Sequence, residues 1–121
     1  MDRPYRHIEI DRTGDVHCVR LCQAKMDETA LYELADELDR LVSADGCRKL
    51  LLSLGPEEPQ FLYSVFLAKL VTLQRRLQAG GGALKLCEVS DDTRKIFDAC
   101  RLTPLFDFVP NRTAGLAAFQ K

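Results

Sequence analysis

The order of apolar patterns predicts an α/β fold, ββαβαβαβα, with a mostly parallel central sheet of about five strands and helices on its faces. Three observations carry this. Short strand-like runs alternate with helical periodicity from residue 27 onward, and a hairpin signal precedes them. The most apolar run, Leu50-Leu51-Leu52-Ser53-Leu54, is unbroken, as in a strand covered on both faces. Crossovers of this kind are right-handed and make neighbouring strands parallel.

His7 to Thr13 alternates apolar and polar residues. Gly14-Asp15 then offers a turn before Val16 to Cys22, which predicts a hairpin. Asp27 is placed to cap a first long helix whose Leu31, Leu34, Ala35, Leu38, Leu41 and Val42 recur at three- and four-residue spacing. Glu33, Asp36, Glu37 and Arg40 fall on the opposite face, toward water. Gly46 closes this helix, and Leu50 to Leu54 is the central strand. Gly55-Pro56-Glu57-Glu58-Pro59 is a turn cluster. From Pro59 or Ser64 to Ala79 the pattern is helical again, with Leu62, Phe66, Leu70, Leu73 and Leu77 facing inward.

Gly80-Gly81-Gly82 follows a helix instead of preceding one, and no Lys-Ser or Lys-Thr comes after it. It therefore reads as a helix end and turn, not as a phosphate loop. Ala83 to Cys87 alternates as a strand. Ser90, with Asp91 and Asp92, starts a third helix with Ile96, Phe97 and Cys100 on its inner side, ended at Pro104. A last strand fits Leu105 to Val109, and Asn111 caps a terminal helix carrying Leu116, Ala117 and Phe119.

The 121 residues correspond to one domain over 1–121, and 46% hydrophobic with 29% charged residues is the make-up of a folded chain. Lys plus Arg number 17 against 18 acidic residues, so nothing points to a nucleic-acid partner. No apolar run approaches the ~20 residues of a membrane span, and the polar start MDRPYRH lacks the form of a signal peptide; a cytoplasmic location is expected. The five cysteines lack CxxC pairs or metal spacing, so they are expected to be reduced and mostly buried, with no metal or cofactor. His7 and His17, on the first two strands, are read as surface or edge residues without catalytic partners.

Three stretches resemble the STAS domain family, which includes bacterial anti-sigma factor antagonists and the cytoplasmic tails of sulfate transporters. Ala24-Lys25-Met26-Asp27 is similar to the family's Gly-x-Leu-Asp. Phe61 to Ala68 stands where the family has phenylalanine followed by Asp-Ser-Ser-Gly-Leu-Gly. Ala83 to Val89, with Ser90, Arg94, Ile96-Phe97, Leu102 and Leu105-Phe106, resembles the family's later strand, helix and final strand. The resemblance covers nearly the whole chain and implies a non-enzymatic domain that binds an anti-sigma factor that is also a serine kinase. It also implies a partner surface of Lys25 and Asp27 with Phe61, Tyr63, Ser64, Val65, Ala68 and Lys69.

In the family the second serine of Asp-Ser-Ser-Gly is the phosphate acceptor, and that position is Val65 here. Tyr63 replaces the Asp, Ser64 matches the first serine, and Phe66 and Ala68 replace the glycines. Ser53 stands where many members have Asp, and the loop from Gly55 to Gln60 is about two residues longer. The acceptor site is thus degenerate: valine takes no phosphate, and Ser64 is either a helix cap or a displaced phosphorylation site. On a helical wheel Val65 lies with Ser64, Ala68, Thr72 and Arg76, away from Phe66, Leu70 and Leu73, which suggests a partner contact. Two other readings stay open. One is a scaffolding subunit that assembles with another STAS-like domain through Phe61 and Val65. The other is a ligand binder or thiol enzyme using Cys87 or Cys100.

Overall fold

A computed structural model describes residues 5–22, 27–44, 46–55 and 64–120, the side chains of Ser64 and Val65 excepted. The hairpin comes first. Strands β1 (Ile8–Thr13) and β2 (Val16–Leu21) pair antiparallel, with Thr13 opposite Val16 and Gly14 in the left-handed region at φ 62°. Helix α1 (Glu28–Ser43) then crosses over to β3 (Lys49–Ser53), which lies parallel to β2. Helix α2 (Ser64–Ala79) leads to β4 (Ala83–Cys87), and α3 (Asp91–Ala99) leads to β5 (Asp107–Val109); both strands continue the parallel sheet. Helix α4 (Arg112–Phe119) ends the described chain. The strand order β1-β2-β3-β4-β5 places β3 at the centre, as its unbroken apolar run demands.

Alternate side chains of each strand feed two cores. Val19, Leu50, Leu52, Leu84 and Leu86 meet the leucines of α1 and α2 and Phe97 of α3 in the larger one. Val16, Cys18, Leu51 and Cys87 point the other way and are covered by Phe119 and Leu116 of α4. Gly115 lets α4 approach closely, since a Cβ there would lie 2.6 Å from Leu51 Cδ1. The glycine run is a helix end: Gly81 is left-handed at φ 83°, and Gly82 N–H donates to Leu77 O across 2.7 Å.

Several expectations are corrected. Glu37 does not face water: it is 6% exposed, because its two carboxylate oxygens accept the backbone N–H groups of Arg6 and His7 at 2.9 Å each. His17 is no surface residue, being 6% exposed on the side of β2 that turns toward the larger core, and the half-buried His7 places Nε2 3.0 Å from Glu33 Oε1. Ile96 and Cys100 are exposed; in the nine-residue α3 the buried pair is Thr93 and Phe97, one turn apart, and Arg101 at φ 58° then swings the chain away. Leu105 belongs to a 3-10 turn (Thr103–Leu105) with Pro104 in its first positions, and β5 is only three residues long. Cys22 is exposed like Cys100, so burial holds for Cys18, Cys47 and Cys87. The inward face of α2 includes Leu67 as well as the expected Phe66, Leu70, Leu73 and Leu77, while Leu62 lies outside the described residues.

Candidate functional site

Because β2, β3 and β4 are parallel and each crossover returns through a helix, the helix starts of α1 and α2 lie at one end of the sheet, beside the ends of β2 and β3. Asp27 caps α1: its Oδ1 accepts Ala30 N–H at 2.8 Å, and its side chain is exposed. Lys69, exposed on α2, places Nζ 5.6 Å from the ring centre of Tyr32 on α1, which ties the first halves of the two helices together. Ala68 is exposed beside it.

Lys25, Phe61 and Tyr63 lie outside the described residues, as do the loop from Pro56 to Gln60 and the side chains of Ser64 and Val65. Ser64 and Val65 stand at the beginning of α2. The faces of α2 follow the expected wheel where they are described, with Phe66, Leu70 and Leu73 buried and Ala68, Thr72 and Arg76 exposed.

At the base of this end, sequence patterns did not single out Glu88. It has left-handed backbone at φ 55°, its Oε1 accepts the Ser53 hydroxyl at 2.8 Å, and its N–H donates to Pro110 O. Gly55 packs on it so closely that a Cβ would sit 2.6 Å from Glu88 O. Together these contacts direct the chain as it leaves β3. The only hint in the sequence was Gly55 itself, read there as part of a turn.

On the other face of the sheet a cleft of about 320 Å³ runs between β1, β2 and α4. Its charges are already engaged: Arg20 with Glu9 at 2.7 Å, Arg112 with Asp11 at 2.6 Å, and Glu88 with Ser53. Cys87, which also lines it, is 1% exposed, and burial pushes its thiol up to about 11, which keeps it protonated at neutral pH. Among the described residues no group of His, Cys, Asp and Glu could hold a metal ion, and no helix is long and apolar enough to cross a membrane.

No protein-family model and no curated protein matches the sequence. Solved structures do. An anti-sigma factor antagonist (STAS) domain protein from Planctomyces limnophilus superposes with a TM-score of 0.80 at 20% identity, over 94% of this chain and 98% of that one. An anti-sigma factor antagonist from Mycobacterium paratuberculosis gives 0.78 at 20% identity, covering 94% and 93%. The Bacillus cell fate determinant SpoIIAA, in its phosphorylated form, gives 0.67 at 18% identity, covering 92% and 98%. The chain has the STAS fold.

The STAS fold explains why the three sequence stretches are spaced as they are: two lead into helices at one end of the sheet, and the third supplies β4, α3 and β5. Asp27 caps α1 at that end and Ala68 and Lys69 stand in the second turn of α2, whereas Cys100, at the end of α3, belongs to a different element.

Proposed function

We propose that this chain is a single, non-enzymatic protein-interaction domain acting as an anti-sigma factor antagonist with a degenerate phosphorylation site. Its partner is an anti-sigma factor of the serine-kinase kind, met in the cytoplasm at the α1 and α2 starts. The observation that carries this reading is the whole-chain likeness to antagonists, one of them solved in a phosphorylated form. Asp27, Ala68 and Lys69, all exposed at one end of the sheet, support the location. With them the surface comprises Lys25, Phe61, Tyr63, Ser64 and Val65.

The chemistry follows from what stands at the acceptor position. A phosphate at a helix start gains free N–H groups and the positive end of the dipole, and adds nearly two negative charges to a contact surface. Valine offers only an apolar contact, so association through this surface is not switched off at that position. The test is calorimetric titration of the chain with purified anti-sigma kinases from the source genome. Binding that Val65→Glu weakens at least tenfold, through an ionised carboxylate desolvated without a counter-charge, supports the reading. Failure of every such kinase to bind overturns it.

A further inference from the structure

The α1–α2 groove, which shares Lys69 with the surface proposed for the kinase, has a property that the antagonist reading does not use. The two helices are both 16 residues long and run parallel, and their cross-contacts keep one register: Tyr32 meets Lys69, and Asp39 pairs with Arg76. A groove of about 260 Å³ lies between them. Its α1 wall carries Asp36 and Asp39 and its α2 wall carries Lys69 and Thr72, with Arg76 beside it, so the signs are segregated and the groove charges sum to zero. Asp36 is exposed and, among the described residues, makes no ion pair, while Tyr32 leaves 43% of its surface open next to the groove.

We infer that this face pairs with a second copy of the chain, about a two-fold axis running along the groove. Such an axis lays α1 of one copy over α2 of the other in the same direction. The acidic wall of each copy then faces the basic wall of its partner, and Asp36 falls between the levels of Lys69 and Arg76 across the interface. The equal lengths let the helices overlap end to end. A foreign partner would need the opposite pattern on its own surface, whereas a second copy presents it by symmetry. A net charge of −1 for the whole chain adds little long-range repulsion between copies.

The size of the face sets the strength. Two helices about 24 Å long, with axes about 10 Å apart, offer roughly 500 Å² on each copy, at the low end for a specific interface. Association in the range of tens to hundreds of micromolar is expected.

Sedimentation velocity of the full chain from 10 μM to 1 mM tests this, with the Asp36→Lys and Lys69→Glu variants. The wild type shifts toward a dimer as concentration rises, and 0.5 M salt reduces the shift. Each variant alone sets like charges against each other across the axis and stays monomeric. Mixed in equal amounts they form a heterodimer in which both contact sets are complementary, so the mixture sediments faster than either component. Circular dichroism of each variant confirms that it is folded. A wild type that stays monomeric to 1 mM overturns the inference. So does a dimer that neither substitution affects, or a mixture that behaves as the sum of two monomers.

Discussion

Ser53 at the end of the central strand donates its hydroxyl to Glu88 across 2.8 Å, and Glu88 holds a left-handed backbone conformation at φ 55°. By the family resemblance Ser53 stands where an aspartate is common; in this chain a carboxylate meets Ser53 from Glu88, just past the end of β4. The acidic group of this corner therefore comes from Glu88, beside the chain's exit from β3.

Ser53→Asp removes the donor and sets two carboxylates together in a half-buried corner. It is expected to destabilise the fold by about 2 kcal/mol or more at pH 7. Two ionised carboxylates side by side repel, so the deficit is largest near pH 7 and shrinks in acid. Urea unfolding at several pH values reads this out, and Ser53→Asp combined with Glu88→Gln recovers most of the loss. Equal stability of Ser53→Asp and wild type across that range would rule out the contact.

Glu37 carries the next prediction. Its carboxylate binds the N–H groups of Arg6 and His7, so Glu37→Ala strands two donors and is expected to cost about 2–3 kcal/mol. Glu37→Gln keeps one acceptor oxygen and costs about half as much. Thermal or urea unfolding gives the ranking, and hydrogen exchange at the two amides should rise in the alanine variant. A loss below 0.5 kcal/mol for Glu37→Ala would show that the clamp does not hold the segment before β1.

These two residues also show where sequence reading works and where it stops. Asp27, Ser90 and Asn111 are legible as helix caps because each side chain bonds a backbone N–H three residues on, a purely local event. The central strand is legible because burial on both faces leaves an unbroken apolar run. Glu37 reads as a water-facing residue because its partners lie about thirty positions away, beyond any periodicity. In α3 the spacing rule ranked Ile96 with Phe97, but a nine-residue helix buries only one narrow stripe. The proposed partner surface has one local sign, the apolar Val65 on the outward side of the α2 wheel; its other residues rest on the family resemblance, and of these Asp27, Ala68 and Lys69 are exposed on α1 and α2.

The cysteines give a prediction with a pH dependence. Burial pushes the Cys87 thiol up to about 11 and the Cys47 thiol up to about 12, while Cys22 and Cys100 are exposed. A colorimetric thiol reagent at pH 7.5 should label two groups quickly in the native chain and five after unfolding. A folded-state pKa above the unfolded value of about 8.5–9 stabilises the fold at lower pH, and that contribution is lost as pH climbs toward 11–12. The unfolding midpoint should therefore fall above pH 9, and Cys47→Ser or Cys87→Ser should flatten part of the fall. Rapid native labelling of Cys87 at neutral pH would return the thiol chemistry to consideration.

The last prediction concerns the start of α2. On the proposed reading Val65 stands at the STAS acceptor position and Tyr63 and Phe66 stand for the neighbouring Asp and Gly, so a kinase that recognises this motif should leave the helix start unmodified. Ser64 has a serine hydroxyl one residue away in the sequence, and a helix N-terminus accommodates phosphate. One residue of displacement on a helix is, however, a rotation of about 100°, so a kinase aligned on position 65 is not aligned on position 64. Incubating the chain with anti-sigma kinases and ATP, then mapping peptides by mass spectrometry, should find no stoichiometric phosphate, with Ser64→Ala as the control. Restoring the acceptor with Tyr63→Asp and Val65→Ser, while the buried Phe66 is kept, should make residue 65 a substrate, and its phosphorylation should weaken partner binding at least tenfold. Stoichiometric phosphate on Ser64 that vanishes in Ser64→Ala and abolishes binding would instead make this chain a switch with a displaced acceptor.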